Sequence, residues 1–562
     1  MTVIPDPHKK VPMMFRAQVN GRCQLQRLTK GEEPDAVRWA DEWVDKVYPE
    51  LPDAGEHVHT RTYTIAWRLI TNSGVDDSVI RPVIGARGWV FYPGSSMKGL
   101  FRRACTPQQS ATYCGDLAKP GILRFQGGYP IDTSWTKGLV DIVHPQQGWQ
   151  VEDQSKKSSA FAQISLYKPT LRFGISSDAK DVNWEEVWQI WERAIATGLG
   201  SRVCAGYGHV ETSSQTAISQ GLKVLYRTRL KGQGQAPKLL DGTGEFRPNL
   251  FRAGLRGHAL RLFGGLTDAT TATRLVETLF GGVSGHGIVG LVGMRFQESR
   301  LTLPLFQPGT AYEQIGYEVE GELSLLLARE LKNPTHEDTL KRLLAQLMQF
   351  AMVLGGFGKS WRRADHRLFF EDYYDRTKPL IGCHWQWVGE MALGRDVQVR
   401  SPEKLGGFID KVRQTAEEWM RLQGVVPNPA LAADWREAWH PRSVQVWGRV
   451  ANSVDESEAI RWFHGAYRET IRGVQREGSL YQSQSAAMTG KVGQIGRLWH
   501  RMYPQVKLVM TRQDPEGKPK LRITPQFLEW LTIFPDESRE CEEFLEFLQG
   551  QPYGFRRFWG EE

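Results

Sequence analysis

The sequence predicts an α+β protein composed of two tandem units. Alternating apolar and polar residues indicate strands, and apolar residues at helical spacing indicate helices between them. The same order of elements then occurs twice: strand, loop, basic helix, strands, helix and glycine-rich turn. A tandem duplication of one α+β unit is the most economical explanation of this order.

The first unit begins with a strand in which Tyr63 and Trp67 alternate with polar residues. A loop punctuated by glycine and proline follows over residues 72–90 and is long enough to project. The segment FYPGSSMKGLFRRA predicts a helix capped by Ser95 or Ser96. Strand-like GILRFQGGYPI and ISLYKPTLRFGIS lead to the helix WEEVWQIWERAIA and the turn GLGSRVCAGYGHV.

The second unit repeats this order from about residue 222. An alternating strand and the loop KGQGQAPKLLDGTGEFRPN precede the basic helix LFRAGLRGHALRLFGG. The strand candidates GIVGLVGMRF and YEVEGELSLLLA, the helix DTLKRLLAQLMQFAMVLGG and the turn GGFGKSWRRAD complete it. Both units are compatible with a ferredoxin-like β-α-β-β-α-β core.

These patterns divide the 562 residues into four parts. We predict an N-terminal extension over 1–55, the first unit over 56–220 and the second over 221–395. Beyond about residue 395 we find no further repeat, so residues 396–562 are interpreted as a C-terminal elaboration packed on the second unit. A separate domain is the alternative.

Composition narrows the functional class. Lys and Arg total 71 against 63 Asp and Glu, a net charge of +8 that suits an acidic partner such as nucleic acid. We expect no membrane contact, because no apolar run is long enough to span a bilayer and the N-terminus lacks an apolar leader core. Six scattered cysteines without C-x-x-C fit neither zinc knuckles nor a disulfide framework, and favour a cytoplasmic location.

Two kinds of motif suggest phosphate binding. The Pro-Gly turn before residues 95–103 leaves helical N–H groups free, and Lys98 and Arg102 share one helix face. Glycine-dense turns at 198–210 and 354–365 allow a ligand to approach the backbone closely. An ordinary solvated helix and flexible turns are the alternatives.

Catalytic signatures are sparse. H-E-x-x-H and G-x-S-x-G are missing, and His144 and His384 are more typical of structural histidines. Asp76, Asp77 and Asp241 lie in the two loops, where aspartate ordinarily forms turns.

Several of these motifs resemble those of one family. PGSSMKGLFRRA closely resembles the basic-helix motif of the RAMP superfamily, the repeat-associated subunits of CRISPR effector complexes. ATGLGSRVCAGYGHV resembles its glycine-rich loop, and GILRFQGG with VDIVHPQQGW resembles the interior strand and Asp-x-x-x-Pro segment of type III backbone subunits. FRAGLRGHALRLFGG, ETLFGG and LGGFGKSWRRA match more loosely in the second unit. Two units in one chain resemble fused tandem Cas-seven-like subunits.

This resemblance implies two RRM-like units with thumb-loop insertions. The expected partners are CRISPR guide RNA, target RNA and other type III effector subunits. The family's catalytic aspartate lies in hydrophobic-Asp-x-x-Val-Ile-Arg, which residues 75–81 match. Asp76 is therefore the first catalytic candidate, Asp77 the second, and Asp241 a counterpart without the flanking pattern.

The resemblance also implies how target RNA would be cleaved. The ribose 2′-hydroxyl is the attacking group, a divalent cation (Mg²⁺ or Mn²⁺) assists, and no organic cofactor is needed. Since RNA supplies its own nucleophile, the missing nucleophile motifs count little against this activity. The sequence shows no legible cluster of metal ligands.

The remaining site candidates are expected along the guide-RNA backbone. In the first unit they are Ser95, Ser96, Lys98, Arg102, Arg103, Gly198, Gly200, Arg202, Gly206 and Gly208. In the second they are Arg252, Arg256, Arg261, Gly355, Gly356, Gly358, Lys359, Arg362 and Arg363.

Two other functions stay open. The first is a non-catalytic, structural guide-RNA-binding subunit of the same complex. The second is a tryptophan-rich glycan-active enzyme with a hidden carboxylate pair, which predicts no affinity for RNA.

Overall fold

A computed structural model describes most of the chain. The described residues are 12, 14, 35–72, 74–76, 79–143, 150–152, 161–211, 222–282, 288–310, 313–374, 378, 380–464, 488–491, 494–509 and 520–561. Two compact units share the sequence. Unit 1 comprises residues 1–144, 159–223 and 238–243, and unit 2 comprises 145–158, 224–237 and 244–562. No helix within the described ranges has the length and hydropathy needed to cross a membrane.

Unit 1 combines three longer helices with short strands. Its helices are α1 Asp35–Asp45, α2 Gly94–Arg103 and α3 Trp184–Ala196. Its strands are β1 His59–Thr64, β2 Arg68–Leu69, β3 Gly74–Asp76, β4 Val79–Arg81, β5 Leu123–Pro130, β6 Val140–Val143, β7 Phe161–Ile164, β8 Leu166–Tyr167 and β9 Thr170–Ser177. Local sequence explains α3, because Asn183 caps it by accepting from Glu186 N at 3.1 Å, and Trp188 and Trp191 bury one face.

The central sheet of unit 1 has the antiparallel order β5-β9-β1. A short segment at residues 209–211 lies on the other side of β1, where Val210 bridges Ile65 and Glu211 N donates to Thr64 O at 2.8 Å. If the four segments are numbered by their order in the chain, their spatial order across this sheet is second, third, first, fourth. A separate sheet, β3-β4-β7-β6, carries the predicted projecting loop.

Unit 2 contains the longer strands and helices. Its helices of six or more residues are α4 Asn249–Gly264, α5 Ala269–Phe280, α6 Glu337–Val353, α7 Glu390–Arg395, α8 Lys404–Leu422, α9 Glu458–His464 and α10 Arg539–Gln549. Its strands are β10 Val224–Gln235, β11 Val292–Thr302, β12 Leu305–Phe306, β13 Gln314–Leu327, β14 Cys383–Trp387, β15 Gln445–Ala451, β16 Gly490–Lys491, β17 Gln494–Ile495, β18 Leu498–Val509, β19 Lys520–Ile533 and β20 Arg556–Trp559.

Unit 2 holds two main sheets with one shared topology. Their orders are β11-β13-β10-β14 and β18-β19-β15-β20, and every pair of neighbours is antiparallel. In both, the order is again second, third, first, fourth, with a helix after the first strand and another after the third. The described strands between residues 445 and 559, a region that the sequence analysis interprets as a non-repeating elaboration, therefore share this strand order.

The α+β class predicted from the sequence is confirmed, and both units have large apolar cores. In unit 1 the core gathers Trp43, Trp89, Trp135 and Phe173 with the apolar faces of α2 and α3. In unit 2 a continuous core reaches from α4 and α6 to Trp499 and Trp530 of the last sheet. Burying these side chains contributes on the order of 1.5–3 kcal/mol each.

Candidate nucleic-acid interface

Helix α2 begins where the backbone requires a glycine. Its N-cap is Pro93, and no side chain caps the first turn. A Cβ added at Gly94 would lie 2.0 Å from the Phe125 carbonyl oxygen of β5, so only glycine fits there. The prediction that Ser95 or Ser96 caps the helix is therefore wrong, because both lie inside its first turn and are exposed.

The two faces of α2 have different roles. Met97, Leu100 and Phe101 are buried against the core of unit 1. Ser95, Ser96, Arg102 and Arg103 are exposed and Lys98 is half-buried, so the other face offers hydroxyl groups and positive charge. Arg102 also donates to Ser110 Oγ at 3.1 Å and to the Gly115 carbonyl oxygen.

The glycine-rich turn after α3 is bonded to the segment that leads into α2. The backbone N–H of Gly200 donates to the phenol oxygen of Tyr92, two residues before α2. Burial raises the pKa of Tyr92, against the effects of this hydrogen bond and of the Arg103 charge. The structure thus connects two motifs that lie about a hundred residues apart in the sequence.

The glycines of this turn are needed for contacts within unit 1. Gly198, Gly200, Gly206 and Gly208 all have positive φ. A Cβ at Gly208 would lie 1.8 Å from the Leu199 oxygen, and one at Gly200 2.2 Å from the Ile70 oxygen. Gly200 is exposed, Gly198, Gly206 and Gly208 are buried, and Arg202 is half-buried with a pKa lowered by burial. Gly200 and Arg202 are therefore the more accessible candidates of this turn.

The described catalytic candidates are Asp76 and Asp241. Asp76 ends β3 and pairs across the β3–β4 hairpin with Val79, while Asp77 lies outside the described residues. Asp241 is exposed, and its Oδ1 accepts from Thr243 N at 2.9 Å, as in an Asx turn. Although the sequence assigns Asp241 to the second repeat, the structure packs it with unit 1.

The cations of α4 bind groups of the protein itself. Arg252 and Arg256 donate to the carbonyl oxygens of Phe280 and Gly281, which end helix α5. Arg261 is fully buried, and its Nε donates to Glu437 Oε2 at 2.8 Å. The RNA contact predicted for Arg261 is therefore wrong, because a guanidinium inside the core cannot reach a phosphate backbone.

The Glu437 carboxylate accepts hydrogen bonds from three guanidinium groups. Besides Arg261, Arg362 Nη2 donates to Oε2 at 2.8 Å and Arg436 Nη2 to Oε1 at 3.0 Å. Burial alone would raise the pKa of Glu437, but Arg362, Arg261 and Arg436 lower it to about 2. Arg362 also lies over the Trp361 ring at 4.5 Å, so its charge is used in the interior rather than offered to RNA.

The second glycine-rich turn is likewise fixed within unit 2. Gly355 is buried, and its carbonyl oxygen accepts from Arg501 Nε of β18 at 2.6 Å. A Cβ at Gly356 would lie 2.6 Å from Arg501 Nη2. Gly358 and Arg363 are half-buried and Lys359 is exposed, so these three retain access to a ligand.

A cavity of about 120 Å³ lies beside this turn in unit 2. Side chains from β14 and β18 line it, including those of His384, His500 and Arg501. His384 Nε2 lies 2.9 Å from the Ile381 oxygen and 3.9 Å from Asp365 Oδ1, and burial lowers the pKa of His384. The sequence contains no local signal for this cavity, because its two strands are far apart in the chain.

The predicted Mg²⁺ or Mn²⁺ has no ligand set in the described part of the chain. No group of three or more His, Cys, Asp or Glu side chains that could hold a metal ion occurs among those residues. Asp241 uses one carboxylate oxygen in its own turn. The described residues do not fit a resident cation.

Two solved structures to which the chain is similar resemble it distantly. No family model and no curated protein matches the chain. A chain of the type III-B Cmr-beta complex bound to cognate target RNA, solved by cryo-electron microscopy, is 20% identical, with a TM-score of 0.23. The alignment covers 27% of this chain and 57% of that one, so little more than half of the Cmr-beta chain is matched.

The second likeness is to Cmr1 from Pyrococcus furiosus in its apo form. It is 12% identical with a TM-score of 0.30, and the alignment covers 60% of this chain and 99% of Cmr1. At such TM-scores neither likeness carries an argument about fold or function.

Proposed function

We propose that this chain is an RNA-binding backbone subunit of a type III CRISPR effector complex. The proposal rests on the RAMP-like motifs of unit 1, and the observation that carries it is the exposed face of α2. That face combines the hydroxyls of Ser95 and Ser96, at a helix start without a side-chain cap, with Arg103 in the last turn of the helix. Free N–H groups and cations are what a phosphodiester backbone binds, and such contacts are independent of base sequence.

We further infer that the repeated strand order reflects copies of one ferredoxin-like unit. The predicted units 56–220 and 221–395 would each contain one copy, and the strands between residues 445 and 559 would belong to a third. The support is the common order second, third, first, fourth with antiparallel neighbours.

The test of RNA carriage is to purify the chain from its native operon context and sequence the bound nucleic acid. We expect short RNAs that share one repeat-derived end and have diverse spacer bodies. Heterogeneous cellular RNA would reduce the function to general RNA binding. Finding no RNA, with partner subunits present, would contradict the proposal.

The proposed catalytic group is Asp76 at the end of β3. Its carboxylate would accept the proton of a ribose 2′-hydroxyl as that oxygen attacks the adjacent phosphorus. The bond to the 5′-oxygen then breaks and that oxygen takes a proton from water, which leaves a 2′,3′-cyclic phosphate and a 5′-hydroxyl. In this account the protein contributes mainly alignment of the RNA and a placed base.

Asp76→Ala should abolish cleavage of guide-paired target RNA at one position while guide binding stays intact. The matched control is Asp181→Ala, an exposed carboxylate of unit 1. Product mapping on a labelled target, with and without a chelator, measures both the site and the predicted divalent-cation requirement. Unchanged cleavage at every position would instead favour the non-catalytic, structural subunit.

A further inference from the structure

The cavity beside the second glycine-rich turn opens to solvent and has room for one ring. Two residues of its lining, Gln386 and Ile523, are exposed, so a ligand can enter from the surface of unit 2. The volume of about 120 Å³ is close to the roughly 150 Å³ of a protein cavity that holds one benzene molecule. A single six-membered ring therefore matches this space better than two fused rings do.

The lining suits the faces of a planar ring. Phe357, Phe369 and Trp385 belong to it, together with aliphatic residues such as Leu393 and Val397. Aromatic side chains pack against a second ring in stacked or edge-to-face arrangements, and these contacts add to the effect of apolar burial. The walls therefore favour an aromatic ligand over a flexible aliphatic one.

Three residues of the lining also carry buried polar atoms that have no hydrogen-bond partner within the described part of the chain. These atoms are Trp387 Nε1, the Tyr503 hydroxyl oxygen and His500 Nδ1. Trp387 and Tyr503 are each 8% exposed, and His500 is 2% exposed. Buried polar groups without a partner are rare because they lose their bonds to water and gain none in return. A polar ligand in the cavity would supply the missing partners.

The three groups differ in what they can bind. Trp387 Nε1 can only donate. His500 Nε2 lies 3.2 Å from Glu529 Oε1, and because a carboxylate accepts, Nε2 carries the proton and Nδ1 of the neutral ring is an acceptor. Burial raises the pKa of Tyr503, so its hydroxyl keeps its proton and can donate or accept. A matching ligand must therefore offer at least one acceptor and one donor.

We propose that this cavity binds a single six-membered heteroaromatic ring that carries both donors and acceptors, the chemistry of a pyrimidine base. The ring would be covered by the aromatic walls, while its polar edge meets Trp387, Tyr503 and His500. This site uses no residue of α2 and goes beyond the proposed function. A free nucleoside and a base within an RNA strand present the same ring, so the experiment must distinguish these two sources.

Saturation-transfer difference NMR of the purified full chain with uridine tests the proposal. We expect signals from the base protons H5 and H6, and a lower affinity for adenosine because its base has two fused rings. Tyr503→Phe removes only the hydroxyl and should lower the uridine affinity roughly two- to tenfold, the effect of one hydrogen bond. The melting temperature of this variant should not fall, because the lost atom has no partner in the described part of the chain.

Trp387→Phe should weaken uridine binding as well, and Trp419→Phe is its matched control. Trp419 is fully buried in α8 and its Nε1 likewise has no hydrogen-bond partner among the described residues, but Trp419 lies outside the lining of the cavity. The control should therefore bind uridine as the wild type does. Equal affinities of the wild type, Tyr503→Phe and Trp387→Phe would overturn the proposal.

Absence of uridine signals with the folded wild type at millimolar concentration would also overturn the proposal, and this result does not depend on any variant. Competition with a short oligouridylate distinguishes the sources. Displacement of uridine would assign the site to a base of an RNA strand, and no displacement would assign it to free nucleosides. A chain that binds uridine but no RNA would contradict the proposed function and leave the pyrimidine site standing.

Discussion

Helices α2 and α4 carry similar basic motifs but use their charges in opposite ways. On α2 the cations lie on a polar face, and Arg102 and Arg103 are exposed. On α4 apolar residues surround the helix, and Arg261 is buried with Glu437 as its partner. The density of cations along a helix therefore does not by itself indicate a nucleic-acid surface. The helix must also have a face that the core leaves open.

The largest expected effect comes from removing the Glu437 carboxylate, the buried partner of Arg261 on α4. Glu437→Gln would leave three arginines without their charged partner inside unit 2. We expect a loss of about 3–5 kcal/mol in the free energy of unfolding, because unpaired buried charges are costly. Urea denaturation measures it.

The control for this variant is Glu50→Gln, which removes an exposed partner of Arg87. Surface ion pairs contribute about 0–1 kcal/mol, so little should change. Equal stabilities of the two variants would show that the charges of α4 are not structural.

Lowering the pH removes the same charge gradually. The pKa of Glu437 is about 2 in the folded chain against an ordinary value of 4.5. Its contribution to stability is therefore complete above pH about 4.5 and is lost as the pH falls through about 2. The melting temperature of the wild type should fall as the pH is lowered across this range. Its dependence on pH should be weaker for Glu437→Gln. An identical pH dependence in the two proteins would contradict the assignment of this stabilising charge to Glu437.

The smallest expected effect concerns RNA binding by α2. Lys98→Ala combined with Arg103→Ala should weaken binding and reduce the salt dependence by about 0.7 in logarithmic slope for each phosphate that the protein no longer neutralises. Stability should change by no more than about 0.5 kcal/mol for an exposed site such as Arg103. Fluorescence anisotropy at several salt concentrations measures the slope.

The matched variant on α4 is Arg252→Ala. Because Arg252 donates to the end of α5, it should lower stability without changing the salt slope. If the salt slope of RNA binding were reduced in Arg252→Ala and unchanged in the α2 variant, α4 rather than α2 would be the helix that binds RNA.

Much of the fold could be predicted from the sequence, because the relevant signals are local. Alternation predicts β10, and helical spacing of tryptophans predicts α3. In the last sheet, β18 and β19 escape prediction because Pro504 and Pro525 lie inside them, and proline ordinarily excludes a strand interior. The register shift between Pro504 and Val506 accommodates proline there.

The candidate site could be predicted only in part. The motif of α2 and its polar face follow from local periodicity, whereas the Gly94 start depends on β5. The role of Arg261 was hidden because Glu437 lies 176 residues away in the sequence. Such a partner carries no local signal, so a buried ion pair and an RNA contact look alike in the sequence.

The central claim is that unit 1 holds RNA through α2 while α4 does not. Ultraviolet cross-linking of the purified ribonucleoprotein, followed by mass spectrometry of the peptides, tests it most directly. The account predicts RNA adducts on residues 94–103 and on the turn at 198–208, with none on residues 249–264. Adducts concentrated on residues 249–264, with none on residues 94–103, would contradict it.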